Sequence, residues 1–269
     1  DGLNEKGLAV GLFYFPGSAG YLPYTPADAP NTVAPWELGS WILDQFASVE
    51  EVKAGIGRVV VPAVLLKAWN LELEVHYIVH DASGQSLVIE YVDNQLRIHD
   101  NPLGVFTNSP SFDWHITNLR NYVNFSTTNL EPLQLGSVRL APLGQGSGML
   151  GMPGDFTPPS RFVRAVAFSQ SIFPAQSGRE AILNAFHILN NFDIPRGAAR
   201  DAHRDAEGNV LADHTIWTAA SDLQARQFHF RTYANSQIRR VDLMAHDLDG
   251  DAIFTCLLYT SPSPRDRTR

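Results

Sequence analysis

The sequence predicts an α+β fold in which two antiparallel sheets are stacked between layers of helices. Three observations predict it: strand-like segments dominate the first part of the chain, helical periodicity dominates the middle, and strand-like segments return towards the end. A parallel doubly wound sheet would instead require strands and helices to alternate along the chain. The hydrophobic content of 44% and the charged content of 18% are typical of a globular protein with a substantial core.

The first predicted elements are one strand and two helices. Residues 9–15 are apolar and aromatic and predict a strand. Pro35 is suited to the first turn of a helix, and apolar residues at helical spacing continue from it to Phe46. Ser48 and Glu51 have the spacing of a capping box, which predicts that a second, short helix begins there.

Four strand-like segments follow these helices. Residues 59–66 are strongly apolar, but Pro62 makes this segment an edge strand or a broken strand. The other three segments, 73–79, 86–92 and 95–99, are separated by short turn sequences. They predict an antiparallel meander.

The remaining predicted elements are three helices and then three strands. Residues on one helical face predict the first of these helices, and they are Phe112, Ile116, Leu119 and Val123. Ser177 and Glu180 form another capping-box pattern at the start of the third. The second and third helices are predicted over 161–171 and 179–190, and the strands over 214–221, 227–233 and 237–243.

Charge and composition weigh against several classes of function. The formal net charge is −8, and an acidic surface disfavours binding to the phosphate backbone of nucleic acids. No apolar run approaches the ~20 residues that a membrane-spanning helix needs. The nine histidines form neither a His-Glu-x-x-His nor a His-x-His pattern. The sequence therefore predicts no nucleic-acid partner, no membrane partner, no metal and no cofactor.

Both ends of the sequence are unusual. Residues 1–8 contain no initiator methionine and lead directly into the first strand. Residues 256–269 have no apolar period and resemble a translated sequencing adapter. We therefore expect a chain that is cut at both ends, with one domain over residues 1–255 and a non-native tail over residues 256–269. The single cysteine, Cys256, belongs to that tail.

Three segments, taken in order, carry a resemblance to a known family. They are residues 1–8 (DGLNEKGL), residues 107–114 (TNSPSFDW) and residues 144–164, which contain GQGSG, PGD and SRFVR. Residues 231–238 (RTYANSQI) also match. Together these motifs resemble the choloylglycine hydrolase family, which contains bile salt hydrolases and penicillin V acylases, and the resemblance covers residues 1–254. It implies an N-terminal nucleophile hydrolase with an αββα sandwich.

The resemblance also implies the chemistry of attack. In the family, a cysteine freed at the mature N-terminus attacks a linear amide, and the thiolate is the nucleophile. That cysteine, with an arginine and an aspartate that orient it, precedes Asp1 in the family pattern. Cys256 is neither N-terminal nor in a family motif. We therefore expect the chain as given to be inactive.

Two polar residues are implied to be catalytic. Asn108 matches the asparagine whose side chain donates to the developing oxyanion, and such a donor lowers the barrier by about 3–4 kcal/mol. The alternative for Asn108 is a turn residue before Ser-Pro. Arg161 matches an arginine beside the nucleophile, where a fixed cation favours the thiolate. The alternative for Arg161 is a solvated or ion-paired helix arginine, which is also the prediction for Arg164.

Three further residues are implied to shape the site. Tyr14 takes a position where many bile salt hydrolases have asparagine and penicillin V acylases have tyrosine. Its backbone N–H is implied to complete the oxyanion hole, and a core aromatic residue is the alternative. Leu66 and Val75 align with apolar residues of the acyl pocket, and core packing explains both of them almost equally well.

The resemblance implies hydrolysis of the amide bond of conjugated bile acids. Tyr14 favours the alternative of a penicillin V acylase, and another N-acyl amide hydrolase is a further alternative. A non-catalytic binding scaffold, from a different class of function, also stays open. The implied partners are a small-molecule amide with a bulky apolar acyl group and further copies of the chain in a homo-oligomer, commonly a tetramer.

Overall fold

Residues 1–205, 208–250 and 253–255 are described by a computed structural model of the chain. The chain divides into two units, Asp1–Pro174 and Ala175–Arg269. None of the helices in the described ranges is both long and apolar enough to cross a membrane. Cys256 and the predicted non-native tail, 256–269, lie outside the described residues.

The first unit is built around a five-stranded antiparallel sheet. The strands of this unit are β1 (Gly2–Leu3), β2 (Ala9–Tyr14), β3 (Leu65–Leu66), β4 (Leu71–Glu72), β5 (Val75–His80), β6 (Ser86–Val92), β7 (Gln95–Asp100), β8 (Leu133–Leu135) and β9 (Val138–Leu140). The large sheet has the order β1-β2-β5-β6-β7, while β3 pairs with β4 and β8 pairs with β9. The predicted meander is confirmed as β5, β6 and β7, and the predicted first strand is confirmed as β2.

Two helices cover one face of this sheet, α1 (Leu38–Gln45) and α2 (Val49–Gly55). Their apolar residues pack with the inward side chains of β5 and β6 in one large core cluster. The predicted serine cap is confirmed, because the Ser48 side chain accepts from Glu51 N–H at the start of α2, but the Glu51 side chain accepts from Ala47 N–H and does not complete the capping box. Pro35 lies in a turn before α1 and not in its first turn, because Glu37 N–H closes that turn onto Ala34 O.

A second core cluster lies on the opposite face of the sheet. It joins Ile78 of β5 and Val88 of β6 to Phe112 and Phe162. Phe112 begins α3 (Phe112–Asn118), and Phe162 belongs to α4 (Pro158–Ser169). These two helices therefore bring the predicted site motifs onto the same side of the sheet.

In its described residues, the second unit contains one α-helix and a three-stranded antiparallel sheet. Its elements are α5 (Gly178–Leu189), β10 (Ala199–Arg204), β11 (Val210–Asp213), β12 (Trp217–Asp222), β13 (Gln227–Thr232) and β14 (Asn235–Asp242). The sheet has the order β12-β13-β14, and β10 pairs with β11 in a separate hairpin. The predicted helix cap is confirmed, because the Ser177 side chain accepts from Glu180 N–H at 3.2 Å.

One prediction of secondary structure is confirmed, one was wrong, and two hairpins were missed. Residues 59–66 are the broken strand that was one of the two predicted alternatives: they form two isolated bridges and the short β3, because Pro62 cannot donate to a ladder. The helix that begins at Phe112 ends at Asn118, so Val123 is not on its face and is exposed. The β8–β9 and β10–β11 hairpins were missed, because their residues are almost all exposed and lack a buried alternating face.

Candidate active site

Tyr14 is the last residue of β2. Its backbone N–H and C=O groups point away from β5, towards the opposite edge of β2. Phe15 N–H donates to Glu74 O (2.8 Å) on the β5 side, and the backbone groups of successive strand residues point in opposite directions. β1 pairs with β2 only at Ala9 and Val10. In the described part of the chain, Tyr14 N–H and C=O therefore lie on a section of the edge that no strand covers.

The loop between β7 and α3 is held against this section of the edge. Asn108 Nδ2 donates to Tyr14 O at 2.8 Å, and Ser109 Oγ donates to Pro16 O at 2.9 Å. An amide nitrogen carries two N–H groups, so one N–H of Asn108 remains available beside the Tyr14 N–H. Two hydrogen-bond donors are thus brought to one short stretch of the sheet edge.

Arg161 fixes the orientation of the Asn108 side chain. Arg161 Nη2 donates to Asn108 Oδ1 at 2.7 Å, and Arg161 Nε donates to Phe156 O at 2.9 Å. Arginine only donates, so the amide oxygen of Asn108 must face it and the amide nitrogen must face Tyr14. A cation bonded to the amide oxygen also polarises the amide and strengthens its N–H donors.

Arg161 is a partly buried cation. Among the described residues, no carboxylate forms an ion pair with it. Burial lowers the pKa of Arg161 from its usual value, and the neighbouring Arg164 lowers it further. An arginine nevertheless stays protonated at neutral pH. The site therefore presents a fixed positive charge next to the two donors, which suits an anion or a developing negative charge.

The residues around Arg161 hold the start of α4 in place. The Asp155 carboxylate accepts from Thr157 N–H (2.9 Å), Thr157 Oγ1 (2.5 Å) and Ser160 Oγ (2.7 Å). Hydrogen bonds from the Thr157 and Ser160 side chains and from Thr157 N–H lower the pKa of Asp155 to about 2. The sequence analysis did not identify this role, although Asp155 lies shortly before the helix, where a capping carboxylate is favoured.

Of the two positions predicted for Arg164, solvated or ion-paired, the solvated one is wrong. Arg164 is buried, and its Nη1 donates to Pro153 O and to Asp155 O, both at 2.8 Å. Arg164 therefore ties α4 to the loop that precedes it. A guanidinium group can hold two carbonyl oxygens at once, and this explains an arginine at a position with little exposure.

The two predicted pocket residues have different surroundings. Val75 pairs with Tyr14 across the β2–β5 ladder, and it is 0% exposed within the core cluster that contains α1 and α2. This is the position that the packing alternative describes. Leu66 in β3 is half-buried and pairs with Leu71. Tyr14 itself is about half exposed and is not a core residue.

The structure brings Tyr14, Asn108 and Arg161 together and adds no metal-binding group to them. Within residues 1–205, 208–250 and 253–255, no three His, Cys, Asp or Glu side chains come close enough to hold a metal ion. What the arrangement offers is two adjacent N–H donors and a cation. Such a group can stabilise an oxyanion that develops on a carbonyl oxygen.

Comparison with known proteins also indicates a site that acts on a carbonyl group. The family model described as "Linear amide C-N hydrolases, choloylglycine hydrolase family" matches residues 1–256. The chain is similar to a bile salt hydrolase/transferase from Clostridium perfringens, with 34% identity over 95% of this chain and 75% of that protein. It is also similar to a bile salt hydrolase/transferase from Lactiplantibacillus plantarum, with 35% identity over 93% of this chain and 74% of that protein.

A solved structure supports the same similarity at the level of the backbone. A variant of the conjugated bile acid hydrolase from Clostridium perfringens superposes with a TM-score of 0.80 and 33% identity. The match covers 94% of this chain and 75% of that one. The predicted α+β class, with antiparallel sheets and helices, is therefore confirmed.

Proposed function

The chain belongs to the choloylglycine hydrolase family of linear amide C–N hydrolases, and we propose that its reaction is hydrolysis of the amide bond of conjugated bile acids. The class of reaction, hydrolysis of a linear amide C–N bond, follows from the family membership. The bile acid substrate is supported by the names of relatives that are 34% and 35% identical over more than nine-tenths of the chain.

The observation that supports the mechanism best is the hydrogen-bonded series Arg161–Asn108–Tyr14. When a thiolate attacks the amide carbonyl carbon, the C=O π electrons move to oxygen and create an oxyanion. The free Asn108 Nδ2–H and the Tyr14 N–H face the same section of the strand edge, where they would donate to that oxygen. Arg161 keeps Asn108 oriented and favours the thiolate before attack.

The rest of the cycle needs one further group, a general acid, for which we propose the α-amino group of the attacking cysteine. As the tetrahedral intermediate collapses, the C–N bond breaks, and the amine leaves with a proton that a general acid supplies. A water molecule then attacks the thioester and releases the free acid and the thiol. The oxyanion forms again in this second step, so the same two donors act twice.

We propose that the attacking thiol belongs to a cysteine outside residues 1–255. That stretch contains no cysteine, and Cys256 is excluded because it is neither N-terminal nor in a family motif. The groups that remain can stabilise an oxyanion but cannot attack a carbonyl. We therefore expect residues 1–269 alone to hydrolyse no amide.

The acyl group is proposed to lie near β3 and β4. Leu66 is half-buried there, and Leu65 and Trp69 beside it expose apolar surface. A steroid-sized acid needs a wall of this kind. Penicillin V, with an aromatic acyl group, is the second candidate substrate, and the tyrosine at position 14 favours it.

We also propose that the protein forms a homo-oligomer. The β8–β9 hairpin and the loop after it expose Leu133, Leu135, Val138 and Leu143, and Leu143 is 100% exposed. Apolar side chains gathered in this way are typical of a surface that another subunit covers. Light scattering would give the mass in solution, and a monomer at micromolar concentration would contradict this proposal.

The decisive experiment uses a protein in which a segment with a cysteine at its mature N-terminus precedes residue 1, here termed the cysteine-bearing protein. We expect it to release taurine from taurocholate faster than it cleaves penicillin V. The matched controls are its Cys→Ala variant and residues 1–269 alone, and both should be inactive. Activity of residues 1–269 would contradict the proposed location of the nucleophile. Cleavage of neither substrate by the cysteine-bearing protein would contradict the proposed substrates and favour another N-acyl amide or a binding scaffold.

A further inference from the structure

Three side chains that can carry charge are buried beneath the site, between the large sheet and α3. They are His76 of β5 and Glu90 of β6, both 0% exposed, and His115 of α3, which is 1% exposed. Burying such groups costs free energy unless they are hydrogen-bonded. Their hydrogen bonds therefore indicate what they stabilise.

Glu90 fixes the beginning of α3. Its Oε1 accepts from His76 Nδ1 and from Phe112 N–H, each at 3.0 Å. Phe112 is the first residue of α3, and the N–H groups of a first helical turn have no partner within the helix. The carboxylate thus sets the position of the helix that carries His115.

His115 holds the backbone of Asn108. Its Nε2 lies 2.9 Å from Asn108 O. A carbonyl oxygen can only accept, so Nε2 carries the proton and donates it. Nδ1 has no hydrogen-bond partner among the described residues. His115 is therefore held as the neutral Nε2–H tautomer, and its single strong polar contact is with the residue that supplies the oxyanion donor.

The ring of His115 is also fixed from the other side. It stacks on Phe162 with a centroid separation of 4.7 Å and an angle of 17° between the planes. Phe162 follows Arg161 in α4, so the same ring contacts both the Asn108 backbone and the helix that carries Arg161. Rotation of His115 would disturb the backbone of Asn108 and the helix that carries Arg161 together.

We propose that His115 is a positioning residue, which fixes the Asn108 backbone so that the Asn108 side-chain N–H points at the developing oxyanion. The inference rests on the proposed function for its catalytic consequence. The geometric part, that His115 determines where the Asn108 amide lies, can be tested without catalysis.

Two substitutions separate the hydrogen bond from the packing. His115→Phe keeps a ring to stack on Phe162 but removes the donor to Asn108 O. His115→Gln removes the ring but can place an amide N–H near the position of Nε2–H. If His115 acts through its hydrogen bond, His115→Phe should displace the Asn108 amide and His115→Gln should largely keep it in place. If His115 acts through packing, the two variants should show the reverse.

The first measurement is the pair of Asn108 side-chain amide signals in ¹H–¹⁵N NMR spectra of residues 1–269, assigned by their loss in Asn108→Ala. We expect His115→Phe to shift or broaden them and His115→Gln to return them towards the wild-type positions. Unchanged signals in a folded His115→Phe protein would overturn the proposal, whether or not any amide is cleaved.

The second measurement is kinetic and uses the cysteine-bearing protein. His115→Phe should lower kcat by about 10- to 100-fold with little change in KM, the scale expected when a catalytic group is misplaced by about 1 Å. In an Asn108→Ala background the same substitution should change kcat by less than about twofold, because its effect passes through Asn108. An equal loss in both backgrounds would overturn the proposal. Absence of any amide cleavage by the wild type would instead reject the proposed function, and the NMR signals would still decide the positioning.

Discussion

Asn108 uses its side-chain atoms in two directions, which explains why an amide is suited to this position. Oδ1 accepts from Arg161 at 2.7 Å, and Nδ2 donates to Tyr14 O at 2.8 Å. A carboxylate could accept from the arginine but could not donate to Tyr14 or to an oxyanion. A hydroxyl has only one proton to donate. The amide alone combines an acceptor for the cation with two donors.

Replacing Asn108 with alanine should lower kcat of the cysteine-bearing protein by about 100- to 1,000-fold while KM changes little. The oxyanion donor strengthens its bond only as the carbonyl becomes tetrahedral, so its loss falls on the transition state. Asn108→Asp should be at least as damaging, although it keeps an acceptor for Arg161. Steady-state kinetics on taurocholate, with the exposed Asn121→Ala as the control, test this expectation. A change in kcat below about threefold in a folded Asn108→Ala protein would reject the oxyanion role.

Arg161 combines a positive charge with a planar guanidinium group that donates to both Phe156 O and Asn108 Oδ1. Two substitutions separate these properties. Arg161→Lys keeps the cation but cannot bond to both Phe156 O and Asn108 Oδ1 in the same geometry, so kcat should fall while the acid limb of the rate profile stays in place. Arg161→Ala should also move that acid limb to higher pH, because the thiolate loses its cation. Profiles of kcat/KM against pH measure both effects, with the exposed Arg120→Ala as the control. Identical acid limbs for the wild type and Arg161→Ala would contradict a role in forming the thiolate.

At the scale of elements, a single buried carboxylate joins the β5–β6 turn to α2. Asp81 Oδ2 accepts from Val49 N–H (2.9 Å) at the start of α2, and Oδ1 accepts from Ser83 N–H and Oγ and from Gln85 N–H within the turn. The side chain is buried, so water cannot replace these bonds. A strand connection and a helix start are thus stabilised by the same group.

Replacing Asp81 with asparagine should lower the free energy of unfolding by about 1–3 kcal/mol, the cost of an unsatisfied buried donor or acceptor. The amide nitrogen would face Val49 N–H, so two donors would oppose each other. The matched control is Asp93→Asn, because Asp93 is exposed and bonded to Arg97, where an ion pair contributes at most about 1 kcal/mol. Urea unfolding of both variants measures the difference, and equal losses would contradict the coupling of turn and helix.

At the scale of the whole molecule, the first unit contains several histidines that burial keeps neutral. Burial lowers the pKa of His76, His80 and His115 below the usual value of 6.5, although Glu90 opposes the shift at His76 and Asp81 opposes it at His80. In the unfolded chain these groups recover their usual pKa. As pH falls through 6.5, the unfolded state therefore takes up protons before the folded state does, and folding becomes less favourable.

The free energy of unfolding should consequently be flat above about pH 7.5 and should fall as the pH drops through 6.5. Each histidine contributes a slope of up to about 1.4 kcal/mol per pH unit until its folded-state pKa is reached. His115→Gln should reduce the slope, because one of the buried histidines is then absent. Urea midpoints between about pH 8 and about pH 5 test this. A constant midpoint would show that the folded protein binds these protons as readily as the unfolded chain.

The class of fold, the main elements and the family could be predicted from the amino-acid sequence alone. Local patterns were sufficient for these: the Ser48 and Ser177 caps start their helices as predicted, and β6 has the predicted bounds. The motifs around Asn108 and Arg161 also identified the family that the comparisons show. These features depend on residues close in sequence, so a single chain is enough to recognise them.

The contacts among the site residues could not be predicted from the sequence, because they form only when distant segments pack together. Asn108 bonds to partners 94 and 53 positions away in the chain, and those pairs depend on where the β2 edge and α4 lie after folding. The burial of Arg164 and His115 was likewise invisible in the sequence, because a polar residue on a helix gives no local signal of what packs against it. Hydrogen-bond partners and burial arise from contacts between distant segments, and local propensity does not encode them.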